Sequence, residues 1–197
     1  MNWTHIAGLI SIALFLLVNV ILLFKKHESF FNLRTVISDH LSLFRNCKIQ
    51  YVIFYVNPAF FAIGLSLIYE AGEAFYTNLS VIISILVSML FAILSILTGK
   101  DYSSVPDNNQ RNNIQDVTQE TITAIVFETL LCIFLLLYGL TMIVIHGSPF
   151  NVDIANRVFS GIAYYTFAVI LLNLLLIVKR ISRITEYNLN IQREKEK

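Results

Sequence analysis

An all-α polytopic membrane helix bundle is the predicted fold class, with about five transmembrane helices plus a cytoplasmic amphipathic helix between the first two. Three observations point there. The chain of 197 residues is 56% hydrophobic and only 14% charged, against roughly a quarter charged in soluble domains. Its apolar residues come in long blocks and are not spread through the chain. The basic residues fall almost wholly into alternate connecting segments.

Five runs are long enough to cross about 30 Å of hydrocarbon, which takes roughly 20 helical residues. They cover about 4–24, 50–70, 79–98, 121–145 and 158–178, and the chain 1–197 reads as one membrane domain. The segments 25–49, 99–120 and 179–197 hold thirteen of the fourteen Lys and Arg residues, leaving Arg157 for the other side. That asymmetry predicts an N-terminus outside and a C-terminus in the cytoplasm, in a bacterial inner (plasma) membrane. The first run lacks a basic stretch ahead of it and a small-residue cleavage site, while Lys25 and Lys26 follow it at once, so it reads as a retained anchor. Cys47 and Cys132 lie far apart and read as free thiols.

The run from Thr121 contains a carboxylic acid, Glu128, inside otherwise apolar sequence. A charged side chain at mid-bilayer costs at least ~2.5 kcal/mol on insertion scales, so something must satisfy it. Glu128 lies seven residues past Thr121, Asn57 seven past Gln50, Asn19 six before Lys25 and Asn173 six before Lys179. With the predicted topology, all four sit at one depth in the inner half of the bilayer, about 10 Å in at 1.5 Å per residue. Ser95 adds a weaker group at a similar level. Three readings follow: a structural polar clamp that fixes helix register, a layer open to water or ions that senses or conducts, or a lipid-facing or misplaced layer.

In the third run, Ser80, Ser84, Ser88 and Ala92 recur at every fourth residue, a small-residue row that lets helix backbones approach closely within or between subunits. In the second, Pro58 follows Asn57, frees the carbonyl of Phe54 and is a candidate hinge. Between the first two runs, Phe30, Leu33, Ile37, Leu41 and Phe44 form one apolar stripe flanked by Arg34 and Arg45. This pattern predicts an amphipathic helix lying in the membrane interface, or an apolar face kept for another protein. Segment 100–118 is rich in Asn, Asp, Gln and Ser, contains Pro106, and reads as a loop. The tail from Lys179 reads as a solvated continuation of the fifth helix.

No catalytic constellation is visible. The histidines lie at or beyond the ends of the runs without metal-ligand spacing, and no paired aspartates, nucleophile elbow or phosphate-binding glycine loop occurs. The sequence predicts no enzyme, no cofactor or metal site, and no direct nucleic-acid binding. The expected partners are the lipid bilayer, further copies of the chain and a cytosolic protein.

The architecture, a chain of this length made almost wholly of membrane helices with short cytoplasmic connections, resembles KwaA, the membrane subunit of the bacterial Kiwa anti-phage defence system. The resemblance spans the chain and implies a homo-oligomer that detects phage-induced membrane disturbance and works with a cytosolic nucleic-acid-binding partner. The expected function is a non-catalytic inner-membrane sensor or scaffold. A pore or channel subunit, with Glu128 setting cation preference, is the alternative. A bacteriocin-immunity-type membrane protein is a third.

Overall fold

The computed structural model describes Gly8, Ile10, Ser11, Leu14, residues 33–44 and 48–100, Tyr102, and residues 108–146 and 153–195. Most of the run at 4–24 lies outside the described residues, as do Asn19, Phe30, Arg45 and Cys47; for Leu33 only the helical backbone is described. The elements are α1 (Leu33–Ser42), α2 (Lys48–Tyr51), a π-helical turn (Val52–Val56), α3 (Asn57–Ile68), α4 (Glu73–Thr98), α5 (Asn108–His146) and α6 (Asp153–Lys195). Among the described residues, four stretches are long and apolar enough to cross a membrane: Ile49–Ile68, Glu73–Thr98, Asn108–His146 and Asn156–Leu189. They contain or overlap the predicted runs at 50–70, 79–98, 121–145 and 158–178.

α5 is the axis of the bundle because it is buried along a heptad seam. Ile114, Thr118, Thr121, Ile125, Glu128, Cys132, Leu135, Gly139 and Met142 are all buried at alternating spacings of four and three. That is the repeat of knobs-into-holes packing. The helix packs on α4 and on α6, while α3 packs on α6 and α1 on α5. α4 meets α5 through Tyr76, Leu79, Ile83, Leu90 and Leu97. Gly139 allows the close approach: a Cβ there would stand 3.3 Å from Ser80 Oγ.

Segment 100–118 is not a loop throughout. α5 begins at Asn108, two residues after Pro106, and runs 39 residues, roughly 58 Å, well over the hydrocarbon thickness. α6 is longer still at 43 residues, roughly 64 Å. The surplus of both helices forms a two-helix stalk beyond the apolar part of the bundle. Ile114 and Ile184 are buried in it, and Arg180 pairs with Glu120 at 3.2 Å near its base. The abundant Asn, Gln and Asp are the outer face of a helix whose inner face needs only Ile114, Val117 and Thr118.

At the opposite end, the turn from α3 to α4 is tied to α6. The Ala71 amide donates to Ser160 Oγ at 2.9 Å, and Arg157 donates to the Leu67 carbonyl at 3.2 Å. Tyr138 donates to the Phe159 carbonyl at 2.7 Å. Tyr76, Tyr138, Tyr164, Phe75 and His146 gather here in edge-on and tilted ring contacts. These rings fill the core at this end of the bundle, with Tyr76 and Tyr164 buried.

Candidate functional site: a buried polar cluster

Glu128 occupies one of the core positions of the α5 seam and is fully buried, and Asn173 of α6 is 1% exposed. The Asn173 amide faces the Glu128 carboxyl, the Tyr55 hydroxyl and the His40 imidazole. Four elements thus meet at one point: α5, α6, the π-turn ahead of α3, and α1. Proximity stops short of hydrogen-bond geometry. Both Glu128 oxygens, both Asn173 amide atoms, both His40 nitrogens and Tyr55 Oη are buried without a hydrogen-bond partner. The Asn173 amide is the group within reach of the carboxyl, the hydroxyl and the imidazole, and the surrounding packing holds the cluster in place.

That packing is aromatic. The His40 ring stacks on Phe127, with centroids 3.9 Å apart and planes 6° from parallel. Phe44 closes the other side edge-on at 5.4 Å and also meets Phe54 and Tyr55. Burial, helped by the nearby Arg180 charge, lowers the His40 pKa to about 4, while the Asn173 amide acts in the opposite sense. His40 is therefore neutral at pH 7. One imidazole and one carboxyl are too few strong ligands for a typical transition-metal site. Beside the cluster, Asp39 and Ser42 of α1 face Asp116, Gln119 and Glu120 of α5 across a shallow acidic depression.

The structure brings Glu128 and Asn173 together and leaves Asn57 out. Asn57 is exposed and its neighbour Pro58 is buried. The cause is the π-turn: the Asn57 amide bonds to the Val52 carbonyl, five residues back. This widened turn rotates the following residues relative to a regular helix, and Tyr55 takes the inward place. Proline supplies no amide to the loosened carbonyl row, and Tyr165 of α6 donates its hydroxyl to the Tyr55 carbonyl at 3.2 Å. Pro58 thus sits at a real irregularity, directly beside the cluster.

α1 presents a different face from the predicted stripe. Phe44 is buried and Ile37 half-buried, but Leu41 is 38% exposed, and Arg34 is exposed. His40 is the fully buried residue. The sequence carries the signal as a second stripe, Val36–His40–Phe44 with Ile37, at the same helical spacing and with the histidine at its centre. In α4, Ser84, Ser88 and Ala92 are exposed, and only Ser80 reaches toward α5. Ser80, Ser84 and Ser88 each bond the carbonyl four residues back, so within this chain the row is largely an outer surface. Ser95 is likewise exposed.

No family model matches this chain, and no curated protein or solved structure does.

Proposed function

We propose that the protein is a non-catalytic relay subunit of the bacterial inner membrane, coupling the state of the bilayer to a cytosolic partner. The observation that carries this reading is His40. A helix outside the spanning segments inserts a fully buried side chain against an intramembrane carboxyl–amide pair. The polar groups there share one amide, that of Asn173, among three side chains packed against aromatic rings, so a small rearrangement can exchange its contacts. A bistable contact is the element through which a modest input shifts two populations.

The input enters through α3. It packs on α6 and joins the cluster through the π-turn and Tyr55, so a change in its tilt acts on the contacts of Asn173. The output leaves through α1 and the α5–α6 stalk, whose exposed polar surface is the docking place for the cytosolic partner. Self-association through the exposed serine row of α4, and detection of phage-induced disturbance as in the Kiwa membrane subunit, extend this proposal.

Coupling is the test. A spin label at Ser42→Cys, in a Cys47→Ser background, is followed in liposomes of short-chain and long-chain phospholipid. The expected result is a change in label mobility with bilayer thickness that disappears in Pro58→Leu. Indifference of the label to thickness in the parent chain sinks the relay. Ion flux through the parent that changes in Glu128→Gln replaces the relay with a pore.

A further inference from the structure

A laterally open groove of about 490 Å³ lies between α3 and α6, running from Ala59 and Tyr165 out to Leu67 and Arg157. Small residues hollow it: Ala59, Ala62 and Ser66 on α3 and Gly161 on α6. Where Ser66 meets Gly161 the helices touch, since a Cβ on the glycine would lie 3.6 Å from Ser66 Cβ. The bordering side chains of Ile63, Leu67, Val158 and Ile162 make the lining almost wholly apolar. Both walls belong to stretches apolar enough to cross a membrane, so the groove opens where acyl chains run.

One charge interrupts this lining. Arg157 stands at the mouth, one residue into the apolar stretch that begins at Asn156. Its side chain is exposed, and one guanidinium nitrogen is fixed by the Leu67 carbonyl at 3.2 Å. A guanidinium carries five N–H donors in a planar fork that fits phosphate oxygens two at a time. Of the fourteen basic residues, this is the one outside the three basic segments, so general attraction of the positive-inside type does not explain it. An apolar slot ended by an anchored arginine is complementary to one molecule abundant at that depth, with a phosphate at one end and hydrocarbon at the other.

We propose that this groove is a phospholipid site, with the headgroup phosphate on Arg157 and one acyl chain lying between α3 and α6. The contact with Leu67 sets the guanidinium at the groove mouth, and Ala59 leaves the inner part of the slot open. The proposal does not rest on the relay, although Tyr165 at the inner end of the groove bonds the Tyr55 carbonyl beside the cluster.

The experiment titrates the full-length protein, in mild detergent, with dioleoylphosphatidylglycerol and counts retained lipid by native mass spectrometry. Dioleoylglycerol, which has the chains but no phosphate, is run in parallel. The parent chain is expected to retain a single phospholipid. Arg157→Gln, which keeps a donor for Leu67 but loses the charge, and the phosphate-free lipid should each bind about tenfold more weakly, a loss of about 1.4 kcal/mol. Ala59→Phe fills the slot and should abolish retention; Ile63→Phe, at a position already exposed, repeats the test if that variant does not elute as the parent does. Equal retention by parent and variants overturns the proposal, as does equal binding of dioleoylglycerol. A homodimer in lipid-free protein that dissociates in Ala59→Phe also overturns it and assigns the groove to a second copy.

Discussion

Acidification should release α1 from the bundle through His40. In the docked state its pKa is lowered to about 4 from 6.5, so the neutral ring is the form that docks. The sign follows from linkage: undocked α1 binds the proton first, and protonation therefore favours undocking. Docking strength is fully present above pH 6.5, declines as pH falls from 6.5 toward 4, and levels off below that. The full loss is about 3 kcal/mol at 1.36 kcal/mol per unit, and roughly 2 kcal/mol of it is gone by pH 5.

The assay uses paired spin labels at Ser42→Cys and Gln119→Cys, two positions that line the same depression, in a Cys47→Ser background. Their separation should rise and broaden between pH 7.5 and pH 5. In His40→Phe, which keeps the stacking partner for Phe127 but cannot titrate, the pH response should vanish. Other charged or titratable groups face this point: Glu128 on α5, Tyr55 on the π-turn, Arg180 on α6, and Asp39, Asp116 and Glu120 at the rim. The same titration in Glu128→Gln separates the buried carboxyl from the imidazole. An unchanged separation down to pH 5, or an equal response in His40→Phe, refutes the reasoning.

Three further outcomes are expected. Arg180→Gln removes the positive charge that helps hold the His40 pKa down, so the pH midpoint of the label response should move upward toward 6.5. Glu128→Met deletes two buried oxygens with no hydrogen-bond partner; replacing buried polar groups by apolar ones of similar volume is often neutral or stabilising, so thermal unfolding in detergent should stay level or rise by a few degrees. A clear fall would mean that the carboxyl is paired. Gly139→Ala places a Cβ 3.3 Å from Ser80 Oγ, and this crowding should cancel the gain of about 1 kcal/mol that alanine brings inside a helix, leaving stability near the parent's. Ser80→Ala in the same chain should release that gain, which thermal scans of the single and double variants will read.

The membrane helices were legible because hydrocarbon thickness imposes a length and the backbone must satisfy itself, so composition alone marks them. Glu128 was legible for the same reason: one carboxylate in twenty apolar residues has few places to go. The flanking charges suggest a depth along each helix, but nothing in the sequence gives the rotation about its axis. The sequence expectation puts Asn57 and Asn173 at similar depths, yet beside the π-turn at Val52–Val56 Asn57 is exposed while Asn173 is buried. No residue in "VIFYV" announces a π-turn except the proline after it. The polar half of α5 was hidden by composition. A helix with one buried stripe of Ile114, Thr118 and Thr121 spends its other positions on polar residues, and those read as loop. His40 was missed because a histidine outside the spans looks solvated until the helix carrying it is placed.

The polar cluster and the lipid groove share both walls. α3 starts beside Tyr55 in the cluster and ends at Leu67 on Arg157, twelve residues and roughly 18 Å apart. α6 carries Arg157, Tyr165 and Asn173 on one unbroken helix, with Tyr165 both lining the groove and bonding the Tyr55 carbonyl. Whatever wedges or empties the groove therefore moves a hydroxyl that holds the irregular turn of α3. Tyr165→Phe isolates this link, since it leaves the groove's shape intact and deletes one hydrogen bond worth about 1 kcal/mol. If groove and cluster are coupled, added phosphatidylglycerol will shift the Ser42 label in the parent chain and not in Tyr165→Phe. An equal shift in both would mean that the two sites share helices without sharing energy.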